Sequence, residues 1–155
     1  MIQLQNYDPA QFSQFKKVST TEYVKDIMSN HRMEEQAAMA KASNAITDAF
    51  PDGMNTDQNK LLSIVLETDE GPTSVGHLWY SYTNETTAFI MDFLVDAEHR
   101  GKGIATEALI ILKAALKADG LSRIGLRVEP TNKAAIRVYE KIGFSVTGWN
   151  MVSTL

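Results

Sequence analysis

The sequence contains no cysteine. That single absence excludes disulfides, thiolate metal sites and a cysteine nucleophile. Histidine is nearly as scarce: His31, His77 and His99 are scattered and do not compose a metal site. His77 beside Trp79 in a β-rich run reads as a packed side chain, and His31 and His99 as solvated ones. No apolar run reaches the ~18 residues that a membrane-spanning helix needs. Residues 1–5 lack the basic start and apolar stretch of a signal peptide, so the expected location is cytoplasmic. An excess of basic residues is also missing. Fifteen Lys and Arg against 19 Asp and Glu leave a net charge of −4, so no nucleic-acid or membrane partner is expected and a small cationic substrate is favoured. Repeats and low-complexity tracts are absent as well, and 155 residues of ordinary apolar content suffice for a single domain burying roughly 70% of the unfolded chain's surface.

What is present changes character along the chain. Residues 2–6 read as a short strand. Asp8 as N-cap and Pro9 at the first helical position then open a helix with Phe12, Phe15 and Val18 inward. It continues or re-forms through Tyr23, Val24 and Ile27. Residues 33–50 are rich in helix formers, with Ala37, Met39, Ala45 and Ile46 among polar neighbours. Residues 51–59 form a polar loop. Runs over 61–67, 75–82 and 88–96, separated by turns at 69–72 and 83–85, predict an antiparallel meander. The last is nearly all apolar, as a strand covered on both faces should be, and Asp92 is the one charge inside it. A helix over 103–119 presents Ile104, Ala108, Leu112 and Ala115 on one face and stops at Gly120. A strand at 122–129, a helix at 132–142 ended by Gly143 and two short strands up to Leu155 complete a mixed α/β (α+β) order.

The segment Arg100-Gly101-Lys102-Gly103-Ile104-Ala105 joins a buried strand to a helix. Two glycines there either serve a tight connection or let the backbone approach a ligand. The first N–H groups of a helix lack internal partners and lie at its positive end, so a pyrophosphate would be held there by several donors, with Arg100 and Lys102 adding charge. Two nucleotide motifs fail. Asp96 stands where an ATPase phosphate loop needs glycine and Ile104 where it needs Ser or Thr, while Thr106 replaces the third glycine of a dinucleotide fingerprint.

The stretch from Val95 to Ala105 resembles the coenzyme A signature of the GNAT acyltransferase superfamily, a basic residue or Gln, two of any kind, Gly, any, then Gly or Ala. A second stretch, Asn132 to Phe144, is similar to that superfamily's other hallmark: an Asn opening a helix, a Tyr two turns later and a closing Gly-Phe. The resemblance covers residues 60–155 well and the first 60 by topology. It implies a central, mostly antiparallel twisted sheet of six to seven strands flanked by about four helices, forming one domain over 1–155. Residues 1–60 would supply acceptor-side helices and 61–155 an acetyl-CoA-binding core. It also implies that the backbone of Phe93, Leu94 and Val95 bonds the pantetheine arm, with an amide of Leu94 or Val95 polarising the acetyl carbonyl. Arg100, Gly101, Lys102, Gly103, Ile104, Ala105 and Thr106 would hold the pyrophosphate. Asn132 and Ala135 would meet the pantetheine region, and Tyr139 would protonate the leaving sulfur. Asn132 and Tyr139 are seven residues apart, two helical turns, and share a face with Ala135 and Ile136.

The base is left open. Asp92 in an apolar strand is either paired, protonated or facing a wet cleft. Strict alternation would group it with Ile90 and Leu94, opposite Phe89, Met91 and Phe93. Glu129 competes for the role, and a water chain is a third route. Tyr23, Trp79, Tyr80 and Tyr82 either wall an acceptor cleft or belong to core and sheet surface. The expected activity is direct transfer of acetyl from acetyl-CoA to a primary amine of a small molecule or peptide, in a ternary complex, since no cysteine and no Ser-His-Asp arrangement offers a covalent route. The rival is a non-catalytic coenzyme A-binding module of the same fold. A homodimer through the terminal strands is compatible with the sequence.

Overall fold

Local signals place most element boundaries. The computed structural model describes residues 1–31, 33–151 and 153. These divide into two compact units, residues 1–7 with 58–145 and residues 8–57 with those from 146 onward.

In the second unit the Asp8 carboxylate accepts the Ala10 amide at 2.9 Å and caps a 3-10 turn at Pro9–Gln11. Helix α1 (Phe12–His31) follows without a break. Helix α2 (Glu35–Ala49) buries Ala38, Ala42 and Ile46, a strict four-residue stripe, and Ala38 and Ala42 pack against Val24 and Ile27 of α1. Ala37, Met39 and Ala45, which the sequence marked with Ile46 only as apolar residues of a helix-forming segment, are exposed. Where alanine recurs so often, several stripes are equally apolar and the packing partner selects one. Phe50 meets Phe12 edge-on at 5.3 Å and Phe15 at 6.0 Å, tying the end of α2 to the start of α1.

The first unit is built on a five-stranded sheet in the order β1 (Ile2–Asn6), β2 (Asn59–Thr68), β3 (Gly71–Asn84), β4 (Thr87–Val95) and β5 (Arg123–Leu126). The first four pair antiparallel and β5 runs parallel to β4, as the crossover helix α3 (Ile104–Ala118) between them requires. Helix α3 buries Ile104, Ala108, Leu109, Leu112 and Leu116; Ala115, expected on that face, is exposed. Leu109, Leu112 and Leu116 meet Leu78, Tyr80, Ala88 and Ile90, and Ile104 with Ala108 meets Ile2, Ile64, Val75 and Val95. Helix α4 is Lys133–Lys141.

Among the described residues five strands replace the expected six to seven. Residues 144–151 form no strand, and beyond Phe144 the large apolar side chains Val146, Trp149 and Met151 are exposed, so no apolar burial there offsets the cost of ordering that backbone. Residues 152, 154 and 155 of the expected terminal pair lie outside the described residues. Strand β5 is also shorter than the expected 122–129. Its pairing with β4 ends at Ile90 and Leu126, one residue before a bulge in β4. Trp79 pairs with Asp92 and Tyr80 with Ile90, which leaves Met91 as the extra residue.

Beside the end of β4, Gly76 is required by close approach. A Cβ there would lie 2.1 Å from the Leu94 carbonyl oxygen. Gly76→Ala is therefore expected to destabilise the fold by about 2–3 kcal/mol, as overpacking against backbone does, read as a lower urea midpoint at unchanged slope. A midpoint equal to wild type would show that the strands separate without cost.

Candidate functional site

The chain leaves β4 through Asp96, whose amide donates to the Val75 carbonyl, passes a 3-10 turn at Ala97–His99, and reaches the glycines. Arg100 Nε donates to the Val95 carbonyl at 2.8 Å, so this side chain braces the turn against the strand it follows. Gly101 (φ 76°) and Gly103 (φ 82°) are both left-handed, and Gly103 is the N-cap of α3. The first bond into the helix runs from the Glu107 amide to the Gly103 carbonyl at 3.1 Å. The amides of Gly101, Lys102, Gly103, Ile104, Ala105 and Thr106 meet no acceptor among the described residues. Nothing lies within 4 Å of a Cβ built on either glycine, so the glycines answer to backbone conformation and open space rather than to crowding by the protein. Six consecutive donors at the positive end of a 15-residue helix suit a multiply charged anion such as a pyrophosphate. The carboxylate in the first turn, Glu107, is turned to the Ile2 amide at 3.1 Å.

Past Ile90, the β4 edge away from β3 has no strand neighbour among the described residues. Met91 to Leu94 thus carry an unoccupied strand edge that leads straight into the glycine turn, the arrangement an extended amide-bearing chain needs to add alongside.

Helix α4 begins where the Asn132 side chain accepts the Ala135 amide at 3.1 Å, and it ends at Gly143 in left-handed conformation. Asn132 therefore has a capping role that any ligand contact must share. Lys113 of α3 donates to the Ile142 carbonyl and lies 5.6 Å from the centre of the Phe144 ring, fastening the helix end. Val138, Tyr139 and Ile142 lie against the core under α3. The Tyr139 ring is 5.7 Å from that of Phe144, and its hydroxyl has no hydrogen-bond partner among the described residues. Burial, and then the negative charge of Asp92, raise the hydroxyl above the usual tyrosine value of 10.0 and keep it protonated at neutral pH.

Asp92 is oriented by the Met91 bulge. Ala88, Ile90, Phe93 and Val95 all contribute to the α3-side cores, so the extra residue turns Asp92 and Leu94 to the opposite face. The grouping of Asp92 with Ile90 that strict alternation implied is thus wrong, while that with Leu94 holds. On this face Asp92 Oδ2 lies 3.0 Å from His77 Nε2. His77 is packed, as its setting suggested, but as the partner of the strand's one charge. A half-buried carboxylate in an apolar strand calls for such a partner, and His77 supplies it from the buried stretch of the neighbouring strand. Glu129 lies three residues beyond β5, against the Arg127 guanidinium in an ion pair without hydrogen-bond alignment.

Of the aromatic group, Tyr80 and Tyr82 pack edge-on at 5.5 Å on the α3 side and Trp79 donates to Asn59 Oδ1 at 2.7 Å on the other face, so these three do not share one wall, and Tyr23 belongs to the second unit. His99, expected in solvent, is largely buried, its side chain 20% exposed; the His31 side chain lies outside the described residues. No cluster able to hold a metal and no helix long and apolar enough to cross a membrane occurs among the described residues.

The model of the acetyltransferase (GNAT) family matches residues 24–144. The chain is 29% identical over 149 residues to the uncharacterized N-acetyltransferase YycN of Bacillus subtilis, covering 94% of each chain. It is 26% identical to the uncharacterized N-acetyltransferase YdgE of the same organism, covering 96% of this chain and 94% of that one. The crystal structure of YycN matches with a TM-score of 0.90 at 28% identity, over 100% of this chain and 99% of the other. PaiA N-acetyltransferase of Thermoplasma acidophilum, solved in complex with coenzyme A, matches with a TM-score of 0.68 at 15% identity, over 97% of this chain and 93% of that one.

Proposed function

Because the chain belongs to the GNAT family of acetyltransferases, we propose that it moves acetyl from acetyl-CoA directly to a primary amine of a small molecule or peptide, with residues 1–155 acting as one catalytic domain. The observation that carries this reading is the run of six amides from Gly101 to Thr106 that meet no acceptor among the described residues, placed at the end of a strand edge that has no strand neighbour among them. The fold neighbour PaiA was solved with coenzyme A, which supports the same ligand here.

In this reading those amides and Lys102 hold the pyrophosphate, Arg100 braces the turn, and the backbone of Phe93, Leu94 and Val95 aligns the pantetheine arm, Leu94 or Val95 donating to the acetyl oxygen. Ala135 and the Asn132 cap border the arm. The thioester supplies an already activated acyl group, so alignment of the two reactants is the larger contribution of the protein. The amine nitrogen bonds to the carbonyl carbon as the carbon–sulfur bond breaks. Tyr139 gives its proton to the sulfur, and Asp92 takes the proton the amine must lose. Asp92 is preferred to Glu129 as base because the Glu129 charge is already met by Arg127.

Titration calorimetry with acetyl-CoA, followed by thiol release over a panel of polyamines, amino acids, aminoglycosides and peptide amino termini, tests the proposal. Micromolar binding and turnover on at least one amine class are expected. Gly103→Ala, which forces a side chain into left-handed backbone at about 1–2 kcal/mol, is expected to weaken coenzyme binding about tenfold. Binding without turnover on any amine would instead mark a regulatory coenzyme A-binding module, and no binding at all would overturn both readings.

A further inference from the structure

We propose that His77 is a positioning residue for Asp92, holding one carboxylate oxygen so that the base presents a fixed direction to the acceptor amine. The inference rests on Asp92 serving as the base. His77 pairs with Leu94 across β3 and β4, so Asp92, two residues earlier, is its diagonal neighbour, within reach of an imidazole and a carboxylate on the same face. The 3.0 Å contact joins Nε2 to Oδ2, and a carboxylate acceptor fixes the tautomer with the proton on Nε2. The imidazole is the deeper of the two: the His77 side chain is 8% exposed and that of Asp92 is 27% exposed. The more open member is the one placed to meet a substrate, and the enclosed member orients it. The fold supplies this pairing through the Met91 bulge, without which Asp92 would turn to the apolar face beside Ile90. On the neighbouring strand the register partner of His77 is Ser63, itself buried, so the ring is flanked on both sides by strands and has little freedom to swing away.

Two substitutions of similar volume separate positioning from packing. His77→Gln keeps an N–H donor at nearly the same reach, and His77→Met keeps the bulk without it. With thermal melting confirming that both fold, His77→Met is expected to lower kcat about tenfold while KM for acetyl-CoA stays within about twofold, and His77→Gln to recover most of the rate. In an Asp92→Asn background His77→Met should cost nothing further, because the group it orients no longer acts. Wild-type kcat in His77→Met, a His77→Gln variant as slow as His77→Met, or losses that multiply in the double variant would each overturn the proposal. If Asp92→Asn is itself fully active, the base assignment fails and the positioning role falls with it. If Asp92→Asn is inactive and His77→Met is fully active, only the positioning role fails.

Discussion

Replacing Tyr139 with phenylalanine is expected to lower kcat about 100-fold at neutral pH while leaving coenzyme A affinity within about twofold. The ring stays, and with it the contact to Phe144 and the packing of α4 on the core under α3, so the variant loses a proton donor and not a scaffold. The hydroxyl suits an acid because both influences on it act in one direction. Burial disfavours the phenolate, and Asp92 repels the charge that ionisation would create. The alkaline limb of the rate profile should therefore lie above the ordinary tyrosine value of 10.0. The sign for stability is the same: the folded chain holds this proton more tightly than the unfolded one, so the associated stabilisation is complete below pH ~10 and is lost as pH rises through the folded value. Single-turnover thiol release separates chemistry from product departure. An unchanged rate in Tyr139→Phe with intact binding would remove this hydroxyl from the reaction.

The parts of this arrangement that were legible in sequence are those set by residues near one another in the chain. Asp8 before Pro9, the Gly101 and Gly103 pair ahead of an apolar helix and Asn132 ahead of another each decide a helix start within a few residues, and each does so in the structure. The parts that escaped depend on a partner far away in sequence. A bulge at Met91 reverses the faces of half a strand, yet Phe89 to Val95 contains nothing but one Asp to signal it. Gly76 looks like an ordinary interruption until the Leu94 carbonyl is placed against it. The pairing of β5 stops where β4 bends, so its short length was written in the neighbouring strand and not in its own residues. His77 was visible as buried, but its partner depends on a register that hydrophobic alternation alone misassigns.

Asp92→Asn is expected to lower kcat at least 100-fold near neutral pH, with KM for acetyl-CoA unchanged, because removing a general base costs about 10²–10⁴-fold while the glycine turn is untouched. Asparagine retains the shape of the side chain and a carbonyl oxygen able to accept from His77 Nε2, so the fold and the cross-strand contact survive. What it cannot do is take a proton from an ammonium. Glu129→Gln provides the comparison: its charge serves Arg127, and its loss should change kcat less than about threefold. The same Asp92→Asn variant carries a second readout that needs no acceptor. With the carboxylate gone, one of the two causes holding Tyr139 above 10.0 disappears, so the absorbance titration of that phenol should move down toward the ordinary value, though burial keeps it from reaching it. A variant that keeps kcat within about threefold while its Tyr139 titration moves as expected would leave Asp92 close to the acid but not acting as the base, and deprotonation would then pass through water.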